Sequence, residues 1–164
     1  MKFETVLVPL DGSPLAEAAL PMAEEVLRDN PDATLVLMRA AWATALPGVD
    51  PISAEVAAVK EAEEYLEQVA ARLRQRGVGR IVTSVWYGSP ASSIVEAAEA
   101  RKADLIIMST HGRSGLGRLI LGSVAESVLR GTRTPILLVR AAGAPVDRPA
   151  GAAVPAASRS SVRG

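Results

Sequence analysis

Cysteine is absent from the sequence, which removes disulfides, thiolate metal sites and thiol catalysis. Histidine occurs once, at His111. A zinc site would therefore need carboxylates for its other ligands, and any Ser-His-acid arrangement would have to use that one ring. Aromatic residues are only 3% of the chain, so the 49% hydrophobic content is mainly Ala, Val, Leu and Ile. Charge of one sign is also lacking: 18 Lys and Arg balance 18 Asp and Glu, leaving no net field to gather nucleic acid or an anionic membrane. No apolar run approaches the roughly 18 residues of a membrane span. The opening "MKFETVLVPLDGS" lacks the apolar core and small-residue cleavage site of an export signal. A cytoplasmic location is expected.

What is present is the material of a single core, since 164 residues can bury about two thirds of the unfolded surface without cross-links. Five short aliphatic runs recur at 5–10, 33–40, 80–87, 104–109 and 135–140, with amphipathic stretches between them. Near-continuous apolar strands alternating with helices predict an α/β fold, an open parallel sheet covered on both faces. "DGSP" at 11–14 predicts a helix start capped by Ser13 with Pro14 in the first turn, where a missing N–H costs nothing. "GSP" at 88–90 repeats the device, and "SVAE" at 123–126 reads as a capping box of Ser123 and Glu126. Apolar positions Val59, Ala62, Leu66, Val69 and Leu73 predict the longest helix, ended by Gly77. Pro21 is expected to bend or interrupt the first helix. The segment 42–53 reads as a long connection, either a surface loop or a lid. The Ala, Pro, Gly, Ser and Arg tail at 141–164 is expected to be disordered beyond a domain of residues 1–140.

The chemistry-bearing stretch is "STHGRSGLGRLILGS" at 109–123, which follows the fourth strand as "PLDGS" follows the first. Open parallel sheets take ligands at the carboxyl ends of their strands, so the two segments could share a crevice. Gly112, Gly115 and Gly117 permit close backbone approach, and the amides of the following helix attract anions. Arg113 and Arg118 could add charge-assisted contacts. The same glycines could equally just close a strand-to-helix connection. The only lysines are Lys2, Lys60 and Lys102, none in the loop, so Walker-type phosphoryl transfer is disfavoured. A hydrolase elbow around Ser114 is disfavoured, because Leu116 stands where G-x-S-x-G needs its second glycine. His111 reads as a loop-packing residue. Asp11 reads as a ligand acceptor, a partner of a phosphate-bound metal, or a turn residue. Asp104 lies at the opposite end of the sheet and is expected to be structural, and Trp42 and Trp86 are expected to pack rather than stack on a base.

On "TVLVPLDGSPLAEAAL", the block from Gly88 to Arg130 and "TPILLVR", the chain resembles the universal stress protein family over residues 1–140. The resemblance implies a Rossmann-like fold of the adenine nucleotide alpha hydrolase type, with five parallel strands in the order 3-2-1-4-5 and about four helices. It also implies a homodimer paired near the last strand and ATP, accompanied by Mg where the family uses it, held through G-x2-G-x9-G-[ST]. Gly112, Gly122 and Ser123 match that motif, and Ser109 fills the first glycine slot. Carried over residue by residue, the nucleoside would lie by Pro9, Asp11 and Ala40. Gly112, Arg113, Ser114 and Gly115 would wrap the phosphates and ribose, Ser123 and Val124 would hold the outer phosphates, and Ser109, His111 and Gly122 would be further binding residues of the same motif. Arg39 departs from the family pattern beside Ala40. Two readings follow: a stress or signalling protein acting by nucleotide occupancy, with at most slow hydrolysis, or an interaction module of the same fold that needs no nucleotide.

Overall fold

The computed structural model describes residues 2–43, 47–48, 50–110 and 122–140. Along the chain run β1 (Thr5–Pro9), α1 (Pro14–Glu17), α2 (Leu20–Leu27), β2 (Thr34–Ala41), α3 (Pro51–Gln75), β3 (Arg80–Tyr87), α4 (Pro90–Ala100), β4 (Leu105–Ser109), α5 (Ser123–Gly131) and β5 (Ile136–Val139). All pairings are parallel, in the order β3-β2-β1-β4-β5. Winding runs outward from β1 one way and from β4 the other, and right-handed crossovers then send the helices to opposite faces.

Side chains alternate across each strand, and the two faces build two cores. Val6, Val8, Leu35, Leu37 and Ile107 meet Leu66, Val69 and Leu73 of α3 on one face. Leu7, Val36, Met38 and Ile106 meet Ile94, Ala97 and Val128 of α4 and α5 on the other. Burying each such aliphatic side chain contributes about 1.5–3 kcal/mol, which is why the three inner strands read as unbroken apolar runs.

Pro21 divides the first helix: α1 stops at Glu17 and Pro21 sits in the first turn of α2. Five helices are therefore described, in line with the about four that the resemblance implied once the first is divided. Ser13 caps α1, its hydroxyl accepting from Ala16 N at 3.2 Å. Gly77, at φ +93°, ends α3. Asp104 is structural as expected: its carboxylate accepts from Glu4 N (2.7 Å) and Thr5 N (3.2 Å), tying the amino ends of β1 and β4 together.

Four expectations need correction. The capping box at Ser123 does not form, because Gly122 is the N-cap and Ser123 is the first helical residue. Glu126 instead accepts from Arg130 at 2.7 Å. Ser89 occupies the cap of α4 without a side-chain cap bond, its hydroxyl bonding Ser92 at 3.0 Å. The connection after β2 ends at Asp50, not at residue 53, because Asp50 caps α3 by accepting from Ser53 N at 2.9 Å. Finally, Trp42 is not a packing residue, since 64% of it is exposed. Trp86 does pack against the second core, with its indole N–H donating to Ser84 Oγ at 3.0 Å.

Candidate functional site

Sheet polarity gathers the carboxyl ends of β1, β2 and β4 at one edge, and the order reverses between β1 and β4. A cleft of about 410 Å³ opens there, within the size range of small-molecule sites. Seven of the twelve residues singled out in the sequence line it: Pro9, Asp11, Ala40, Ser109, Gly122, Ser123 and Val124. The other five, His111, Gly112, Arg113, Ser114 and Gly115, lie outside the described residues, as does the tail from 141.

The wall after β1 is a tight turn. Leu10 N extends the ladder to Met38 O (2.8 Å), and Asp11 Oδ1 accepts from Ser13 N at 2.8 Å. Gly12 between them has φ +83°, a conformation side chains rarely adopt. Asp11 thus shapes its own turn, as its turn-residue reading expects, and is also one of the residues that line the cleft.

The facing wall comes from β4 and α5. Ser109 is buried at the end of its strand. Thr110 N donates to Val139 O (3.0 Å), and Gly122 N donates to Thr110 O (2.8 Å). This second bond draws the start of α5 against the end of β4. The amides of the first helical turn have no acceptor within their own helix, so α5 turns its electropositive end to the cleft.

Arg39 and Glu61 also line the cleft, and sequence reasoning did not place them together. Arg39 is only 8% exposed. Its guanidinium pairs with Glu61 at 3.0 Å, lies 5.1 Å from the Tyr65 ring centre, and packs over Gly12. Tyr65 in turn donates to Glu17 at 2.9 Å. Burial, and then that carboxylate acceptor, push the Tyr65 hydroxyl well above its ordinary value. An arginine at the end of "TLVLMRA" was a legible signal of something to neutralise; Glu61, one acid among many on α3, carried none. Among the described residues no group of three or more acidic, histidine or cysteine side chains could hold a metal. No helix among them is long and apolar enough to cross a membrane.

Fold and cleft define an open-sheet α/β protein with a ligand-sized site at its topological switch point. The model of the universal stress protein family matches residues 2–140, and the chain belongs to that family. It is 34% identical over 139 residues to a universal stress protein of Thermus aquaticus, covering 84% of this chain and 99% of that one. It is 46% identical over 81 residues to one of Methanocaldococcus jannaschii, where the match spans 49% of this chain and only 47% of the relative. Among solved structures, hypothetical protein MJ0577 is similar with a TM-score of 0.72 at 25% identity, over 87% of this chain and 99% of that one. A universal stress protein in complex with cAMP is similar with a TM-score of 0.56 at 26% identity, over 85% of this chain and 98% of that one.

Proposed function

We propose that this chain is a cytoplasmic adenine-nucleotide-binding universal stress protein that acts in stress response or signalling by being occupied or empty. The observation that carries the reading is the convergence of the α5 amino end and the Asp11 turn on one cleft. A polyanion suits the amino end of α5 and a hydroxyl-bearing nucleoside the Asp11 turn. The match of Gly112, Gly122 and Ser123 to the family motif, and the similar structure solved with cAMP, support it. ATP is the ligand of choice, with Pro9, Asp11 and Ala40 at the nucleoside, Ser109 and the segment His111 to Gly115 around ribose and phosphates, and Gly122, Ser123 and Val124 at the outer phosphates. Mg would accompany the triphosphate, bound chiefly by phosphate oxygens and water. Occupancy would shift the conformation of the cleft's rim, and a partner would read that shift. Hydrolysis is at most slow, since the segment 109–123 holds no lysine and no evident water-activating base.

Heating the purified protein and analysing the released small molecules should yield adenine nucleotide, and calorimetry with millimolar Mg-ATP should show saturable binding. Absence of both sinks the proposal. The runner-up reading, a nucleotide-independent interaction module, draws on Ser109 in the first glycine slot and on Arg39 filling one side of the cleft. Gly112→Val separates the two: unchanged partner capture and stress phenotype favour the module, and loss of both favours the nucleotide. In either reading β5 is an edge strand of the sheet and the proposed homodimer seam. Sedimentation should give a dimer, and a monomer at every concentration would remove that element.

A further inference from the structure

Resting on the nucleotide reading, we infer that Trp42 is a specificity-determining residue of this cleft, whose indole covers the planar ring of the bound ligand. Trp42 borders the cleft together with Ala40, Ala41 and Ala58, yet is 64% exposed. A tryptophan left so open forfeits the burial that makes it useful in a fold. Trp86, 44 positions on, shows the contrast: it packs into the second core and satisfies its N–H within the protein.

The backbone beneath Trp42 is anchored. Ala41 pairs with Tyr87 in the last register position of β2 and β3, and its carbonyl accepts from Gly88 N at 3.2 Å. The indole therefore departs from a fixed point on the rim. Ala40, Ala41 and Ala58 line the same cleft and bring no branching bulk to it, which favours a flat ring there. Stacking favours any ring with an exposed π-face and does not read its edge. The cleft thus selects for a heteroaromatic base as a class, while hydrogen bonds elsewhere choose among bases.

The test uses the full chain with Trp86→Phe, so that Trp42 is the sole indole. ATP should quench or shift its emission saturably, with a midpoint equal to that from calorimetry. Tripolyphosphate, which has no ring, should leave the emission unchanged. Trp42→Ala should weaken ATP about tenfold or more, the range of one lost base stack, and Trp42→Phe should retain most of the affinity. If Trp86→Phe fails to fold, the difference in emission between wild type and Trp42→Phe serves instead. Calorimetric ATP binding with unaltered Trp42 emission and unaltered affinity in Trp42→Ala overturns the inference while leaving the nucleotide reading intact. Wild-type protein that binds no nucleotide overturns both.

Discussion

Gly12→Ala tests whether the turn on the cleft wall is held as described. Gly12 has φ +83°, where an L side chain costs about 1–2 kcal/mol. Replacing glycine also stiffens the unfolded chain, which returns about 0.4–1 kcal/mol. The neighbouring term is small: a Cβ would sit 3.4 Å from Arg39 Nη1 and 3.5 Å from Cζ and Nη2, at the near edge of ordinary contact. The net expectation is a loss of about 1 kcal/mol. Gly77→Ala is the internal control, because Gly77 has φ +93° and nothing within 4 Å of the added carbon. It carries the conformational cost without the arginine, so the two variants should agree within about 1 kcal/mol, the spread of that cost. Urea unfolding followed by circular dichroism would read this as a midpoint lowered by about 0.3–1 M at unchanged slope. Gly12→Ala as stable as wild type would show that the positive φ is not what the turn needs. A loss above about 3 kcal/mol with Gly77→Ala near 1 would show that the guanidinium, pinned between Glu61 and Tyr65, cannot give way. Either result refutes the reasoning.

Removing the hydroxyl that caps α1, by Ser13→Ala, should cost about 1 kcal/mol in the same unfolding assay. Ser123→Ala should stay within about 0.5 kcal/mol of wild type, since Gly122 rather than Ser123 caps α5; a loss of about 1 would reinstate the capping box. Leu66→Ala, at a fully buried α3 position, should cost about 2–5 kcal/mol, and a calorimetric melt unchanged from wild type would contradict the first core. Tyr65 supplies a pH test. Its folded pKa is raised above the ordinary 10.0, so its contribution is fully present below pH 10 and is lost as pH climbs above it, where only the unfolded chain ionises. Between pH 8 and 10.5 the urea midpoint of wild type should fall more than that of Tyr65→Phe; parallel slopes would show that the hydroxyl is not held by burial and Glu17.

Local rules reached far into this molecule because local and tertiary preferences mostly agree. The Ser13 cap, the break at Pro21 and the stop at Gly77 each depend on groups within a turn of one another. The Asp50 cap of α3 obeys the same rule, and "DP" at 50–51 with Ser53 was legible as a helix start. Failures came where a distant group, or a competing partner close by, chose the answer. Ser123 had the better capping side chain, but Gly122 is fixed by its bond to Thr110 O, and the helix begins one residue past that anchor. Ser89 reached sideways to Ser92 instead of back to the backbone. Trp42 looked like core, but β2 ends one residue earlier and leaves the indole beyond the layer that would have covered it.

The run of apolar segments and the helix signals between them by themselves determined five parallel strands with helices in between. Such patterns report which face of a strand or helix must leave water, and that is a property of neighbours in the chain. Only the folded sheet decided that Asp11, Arg39 and the start of α5 border one space, and that Arg39 answers to Glu61 and Tyr65 from more than twenty positions away. Charge and aromatic pairing act across distance in space, which sequence spacing does not encode until the strand order has closed the cleft.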